Sequence, residues 1–164
     1  MTVQSNIAIH NTVLDPERLR TGSVLGALSG EGIAFLLEAG ELLGLKSGEV
    51  LFDSGEPGDS FYVVCDGEVD FYRRFGDQSR WLRSLGFGSE VGFVGMIALC
   101  TRSGKVVAKT DCLLLEISSA LFAQLHDQHP VDFGVLLLNL TRDLARLVRK
   151  LDDDLLDSVT APGH

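Results

Sequence analysis

Between Glu41 and Ile117 the apolar runs are short and alternate with turns of Gly, Asp and Ser. The β-favouring segments in this span are residues 50–52, 61–65, 69–72, 81–85, 106–108 and 113–117. Each is too short for a helix to bury a stripe, and strands this short and this closely spaced predict a β-barrel or jelly roll of about eight antiparallel strands. Glycines 48, 55, 58 and 67 fall at segment ends, where tight turns ask for φ > 0 and a Cβ would cost energy.

Helical patterns flank this region. Asp15-Pro16-Glu17 places a capping residue before a Pro at a first helical position, which predicts a short helix. Residues 23–28 and 33–37 carry apolar side chains at helical spacing around Ser29-Gly30-Glu31-Gly32, which predicts two short helices joined at a glycine corner. Residues 119–126 read as another helix, and a long one begins near Val131. In it Phe133, Leu137, Leu140, Leu144, Leu147 and Leu151 form a seam of alternating four- and three-residue steps, the heptad pattern of a helix that pairs. Leu136, Leu138 and Val148 add apolar surface, so one face can grip the β-domain while the seam meets a second subunit. Asp152-Asp153-Asp154 is expected to end the seam, and 161–164 to fray. The chain thus divides into an arm (1–20), a β-domain with short helices (21–128), a long helix (129–157) and a tail (158–164).

Charge and composition remove several functions. Lys plus Arg number 14 against 23 Asp plus Glu, a net charge of −9 that repels a phosphate backbone, so direct nucleic-acid binding is not expected. No apolar run approaches the roughly 20 residues of a membrane span, and residues 1–10 lack the charged and apolar regions of a signal peptide; the expected location is cytoplasmic. Cys65, Cys100 and Cys112 lack paired spacing and sit among apolar neighbours, as buried free thiols do. His126 and His129 lack a third ligand and are broken by Pro130, so no metal is expected. Arg73, Arg74, Arg80 and Arg83 with Trp81 flank Gly76-Asp77-Gln78, a basic hairpin read as a solvated tip, with an acidic partner as the alternative. No catalytic motif is present, and no enzyme activity or cofactor is expected.

The run from Gly48 to Val64, with Gly55-Glu56-Pro57-Gly58-Asp59 at its centre and Asp66-Gly67-Glu68-Val69 after it, resembles the cyclic nucleotide-binding domain family, whose β-roll repeats this glycine-punctuated pattern. The resemblance covers about residues 21 to 151 and includes helices ahead of the roll and the long helix behind it. It implies a mainly β fold, a double-stranded β-helix or jelly roll with flanking helices and a long C-terminal helix. Bacterial transcription regulators of this family, the catabolite activators, continue into a helix-turn-helix domain. Thirteen residues after Leu151 leave no room for one, so the expectation is a stand-alone module.

The stretch from Leu85 to Ala108 falls where the family carries its phosphate-binding cassette, in which a Gly-Glu pair opens a short helix and an Arg-Ser or Arg-Thr pair closes the loop. Arg102-Ser103 matches the second pair, and the resemblance assigns Arg102 to a cyclic phosphate. The ribose-binding carboxylate has three registers. Gly95-Met96 can occupy the Gly-Glu position, which places a thioether there. A gapless spacing pairs Gly92 with Phe93 instead. An inserted loop makes Glu90, preceded by Ser89, the carboxylate. Lys105 is a second cation expected near the pocket mouth, and Leu147-Val148 stand where catabolite activators hold a Thr-Ser pair against the purine.

Two functions follow, with a third reading, a sensor for an anion other than a cyclic nucleotide, motivated by Lys105 and the missing carboxylate. One is a regulatory sensor of a small anion, cyclic AMP or cyclic GMP by resemblance, that relays binding through the C-terminal helix and dimerises through the 133–151 seam. The other is a degenerate domain that binds no nucleotide and serves as a dimerisation or protein-interaction module, with Met96 or Phe93 filling the ribose space. An open cavity floored by Arg102 favours the first; an apolar side chain packed into it favours the second.

Overall fold

A computed structural model describes residues 14–160. Eight strands form two four-stranded antiparallel sheets: β1 (Glu41–Leu45), β8 (Cys112–Ser118), β3 (Ser60–Asp66) and β6 (Glu90–Val91) in one, and β2 (Val50–Phe52), β7 (Lys105–Ala108), β4 (Val69–Phe75) and β5 (Gln78–Leu85) in the other. The expected eight-stranded roll is the observed one. Strand period explains the layering. On β3, Tyr62 and Val64 point between the sheets with Phe52, Val106 and Leu114, while Phe61, Val63 and Cys65 point the other way onto helices. Both faces of β3 are therefore buried, and complete burial of a side chain such as Phe61 contributes about 1.5 to 3 kcal/mol.

Among the described residues five helices form: α1 (Pro16–Leu19), α2 (Gly30–Ala39), α3 (Phe93–Ile97), α4 (Ser119–Gln128) and α5 (Pro130–Thr160). Asp15 caps α1 by accepting from the Glu17 N–H at 3.3 Å. Residues 23–27 form consecutive turns rather than the helix expected over 23–28. Ala27 adopts φ +64°, and Gly22 packs so tightly on Gly88 that a Cβ would lie 2.6 Å from the Gly88 Cα. The glycine corner is also displaced: Ser29 caps α2, and Gly30 and Gly32 lie within it. A Cβ on Gly32 would lie 2.4 Å from Oδ2 of Asp132 on α5, so glycine inside the helix is what lets α5 approach.

Helix α5 has 31 residues, about 46 Å at 1.5 Å per residue. Its first half is held by Leu136 and Leu140, both fully buried, and by two polar anchors. Asp132 accepts from Ser29 N–H (2.6 Å) and Oγ–H (2.7 Å), and Asn139 donates to the Val24 and Gly26 carbonyls at 3.0 and 2.6 Å. The second half runs on through Asp152–Asp154, which were expected to end the seam, and exposes Val148, Leu151, Leu155, Leu156 and Val159. Asp costs a helix position at most about 0.7 kcal/mol relative to Ala, too little for three of them to end a helix this long. The expected fraying of 161–164 and the reading of 1–10 concern residues outside those described. Among the described residues no helix is long and apolar enough to cross a membrane, and no cluster of three or more side chains is suited to a metal.

Candidate functional site

Arg102 lies between α3 and β7 and is 5% exposed. Its backbone is clamped to the β2–β3 loop: its N–H donates to the Glu56 carbonyl at 2.8 Å and its own carbonyl accepts from Gly55 at 2.9 Å. The guanidinium is thereby aimed inward. Nη1 donates to the carbonyls of Ser60 (2.7 Å) and Gly92 (2.9 Å), and Nη2 donates to Ser60 Oγ (3.1 Å). The Phe52 ring lies 4.3 Å from its carbon centre and Tyr62 5.8 Å. Among the described residues no carboxylate pairs with it. An enclosed cation usually demands an opposite charge; here two carbonyls, a hydroxyl and an aromatic face substitute. Three hydrogen bonds among the described residues, set against five N–H groups, leave the guanidinium donors for an anion.

Arg102 forms part of the wall of a cavity of about 260 Å³. The β4–β5 hairpin contributes Phe71, Arg73, Leu82, Arg83 and Leu85, the α3 segment Val91, Gly92, Val94 and Gly95, and α5 closes it with Leu147 and Leu151. Glu90, registered with Val63 of β3, is also on the wall; its Oε2 accepts from the Phe93 N–H at 3.0 Å. Burial pushes its carboxyl above the usual range, opposed by the Phe93 N–H and Arg83 and reinforced by Asp143. The cavity thus sets an acceptor beside cationic donors under an apolar lid.

The site residues expected from sequence divide. Glu90, Gly95, Arg102 and Ser103 line the cavity; Phe93 and Met96 do not. Helix α3 opens at Phe93, directly after Gly92, and turns both side chains into the core. Phe93 is 1% exposed and meets Phe61 edge-on at 5.5 Å; Met96 is 6% exposed in the same cluster. Lys105 faces a different groove with Asp53, Arg74 and Asp77, because β7 carries it to the far side of β4. Cys65 and Cys112 are buried, with the Cys65 thiol pushed up to about 11 by burial, but Cys100 is exposed because the α3 loop turns it outward. His126 lies 3.0 Å from Asp127, and the His129 ring lies tilted against Phe35 at 5.0 Å. Sequence reading missed Arg73 and Arg83 as cavity residues; the period of two from Phe71 was the available signal for Arg73.

A family model described as "Cyclic nucleotide-binding domain" matches residues 30–129, more than half of the chain. A cAMP-dependent protein kinase regulatory subunit from Yarrowia lipolytica is 28% identical over 147 residues, covering 85% of this chain and 38% of that protein. A lysophospholipase NTE1 from Cryptococcus neoformans is 31% identical over 86 residues, covering 52% of this chain and 5% of that protein. The chain therefore spans well under half the length of either relative. Among solved structures, the Thermus thermophilus catabolite activator protein superimposes with a TM-score of 0.71 at 27% identity, over 82% of this chain and 62% of that one.

Proposed function

The chain belongs to the cyclic nucleotide-binding domain family, and from that premise we propose that it is a ligand-sensing regulatory module whose ligand is a cyclic nucleotide, cyclic AMP or cyclic GMP. The observation that carries the reading is Arg102: an enclosed guanidinium without a carboxylate partner among the described residues, facing an open cavity. In this reading the cyclic phosphate is the missing counter-charge, held by a charge-assisted fork. Glu90 accepts a hydrogen bond from the ribose hydroxyl, as the carboxylate of the inserted-loop register. The orientation of Phe93 and Met96 into the core supports a binding site over a filled one, because neither side chain occupies the ribose space.

The receptor part is then 21–128 and the effector part 129–157. Leu147 and Leu151 belong both to the cavity wall and to the 133–151 seam, which supports a relay. A ligand that touches these residues differently in two helix positions shifts the population between them. The exposed stripe on α5 supports pairing with a second copy of the chain. The proposal gives the chain no catalytic step and no direct nucleic-acid contact, and places it in the cytoplasm.

Calorimetric titration of cyclic AMP and cyclic GMP tests it. The expected result is a Kd below about 100 μM that is lost in Arg102→Ala and weakened about tenfold in Glu90→Gln. Because Arg102→Ala also removes bonds to Ser60 and Gly92, its fold is checked by melting. No heat at millimolar ligand with the wild-type chain overturns the reading and leaves the dimerisation module in its place.

A further inference from the structure

The chain carries a net charge of −9, yet three arginines and a single carboxylate line one small cavity. Arg102 is one of the three; Arg73 and Arg83 come from the β4–β5 hairpin. The hairpin's register gathers like charge beside the cavity. Phe71 pairs with Arg83, but a bulge at Leu82 shifts the next pairs, so Arg73 stands directly opposite Arg80 on the same face. Like charges opposite one another destabilise a ladder. Among the described residues neither Arg73, Arg80 nor Arg83 makes an ion pair; Arg73 and Arg80 are exposed, so water screens part of their repulsion, while Arg83 rests on the Phe71 ring at 4.8 Å. The guanidinium of Arg83 is half-buried, so it forfeits hydration as well.

A cyclic mononucleotide brings one negative charge. With Arg102 matched to its phosphate and Glu90 set against Arg83, Arg73 remains uncovered in the cavity wall, and Arg80 beside it repels it. We infer that the cavity takes a ligand carrying two anionic phosphoryl groups, one at Arg102 and the second at Arg73 and Arg83. This rests on the reading of the cavity as a ligand site. The second phosphoryl gains planar guanidinium donors from Arg73 and Arg83 and, where each phosphoryl is a singly charged diester, leaves the walls near neutral. Two sources supply this chemistry, a nucleoside bisphosphate and a cyclic dinucleotide, and direct titration separates them.

The full chain is titrated at fixed ionic strength with cyclic AMP, cyclic GMP, adenosine 3′,5′-bisphosphate and a cyclic dinucleotide. The expected result is that one of the last two binds at least about tenfold tighter than either cyclic mononucleotide. Arg73→Ala then abolishes that preference, whereas Arg74→Ala, on the opposite face of β4, retains it. Melting of Arg73→Ala confirms its fold, which loss of a like-charge pair does not threaten. If the cyclic mononucleotides bind as tightly as both two-phosphoryl ligands, or the preference survives in Arg73→Ala, the inference falls while the cavity remains a ligand site. If none of the four binds, the ligand-site reading falls with it.

Discussion

A Cβ added to Gly92 would lie 2.5 Å from Nη1 of Arg102. Gly92 also adopts φ +92° and gives its carbonyl to that same nitrogen at 2.9 Å. One glycine thus sets the left-handed entry into α3 and the position of the guanidinium. Gly92→Ala is expected to destabilise the fold by about 1 to 3 kcal/mol through strain and to displace Arg102. Denaturant titration reads the first effect. Ligand affinity falling by more than the stability loss explains reads the second.

Asp132 joins α5 to the start of α2 through two hydrogen bonds from Ser29. Bonds to a charged acceptor contribute about 1.5 to 3 kcal/mol each, and the two share one side chain. Asp132→Ala is expected to cost about 2 to 4 kcal/mol by urea denaturation, with Asp132→Asn falling between it and wild type. An unchanged midpoint for the Ala variant would show that α5 is held by Leu136 and Leu140 alone.

Leu99 follows the last turn of α3 with φ +53° and is 93% exposed. This is the position where helices prefer Gly, and a branched side chain there gains no burial in return. Leu99→Gly is expected to stabilise the chain by about 1 kcal/mol, read as a raised denaturation midpoint.

The roll was legible because its signals are local. Turn glycines and a period of two need no knowledge of distant partners, so β3 and β8 could be read from 61–65 and 113–117 alone. The turns at 23–27 were not, because apolar spacing there reports burial, and contact between Gly22 and Gly88 selects the backbone. In the site, Arg102 was legible by residue type and its Ser103 neighbour. Whether Phe93, Met96 or Glu90 faced the cavity depended on where α3 begins, which the left-handed Gly92 decides. Arg73 and Arg80 share a face only through the bulge at Leu82, and one strand read alone does not reveal a bulge.

Glu90 gives the fold a pH dependence of defined sign. Burial raises its carboxyl pKa in the folded chain, against the Phe93 N–H and Arg83, while Asp143 adds to the rise. The folded state therefore binds this proton more tightly than the unfolded state. Stability from this group is fully present below the ordinary carboxylate range and is lost as pH rises through the elevated folded value. Glu90→Gln removes this dependence. Subtracting its stability curve from that of wild type between pH 3 and pH 8, a range set about the usual carboxylate value, is expected to show wild type losing ground as pH rises. A flat difference would mean that Glu90 is hydrated in the folded chain.

Leu155 is 62% exposed on the part of α5 beyond the cavity. Its removal therefore tests pairing without touching the ligand wall. If α5 pairs with its copy, burying this side chain contributes about 1.5 to 3 kcal/mol per chain, and Leu155→Asp replaces that gain with a desolvated charge in each partner. Dissociation of the dimer is expected to rise at least about a hundredfold by sedimentation, with the melting temperature of the separated chain unchanged, since the residue supports nothing within its own fold. A wild-type chain that sediments as a monomer across micromolar concentrations would instead assign the stripe to a different protein. Ligand binding would then have to be relayed by docking of that protein on Leu151, the residue shared between cavity and stripe.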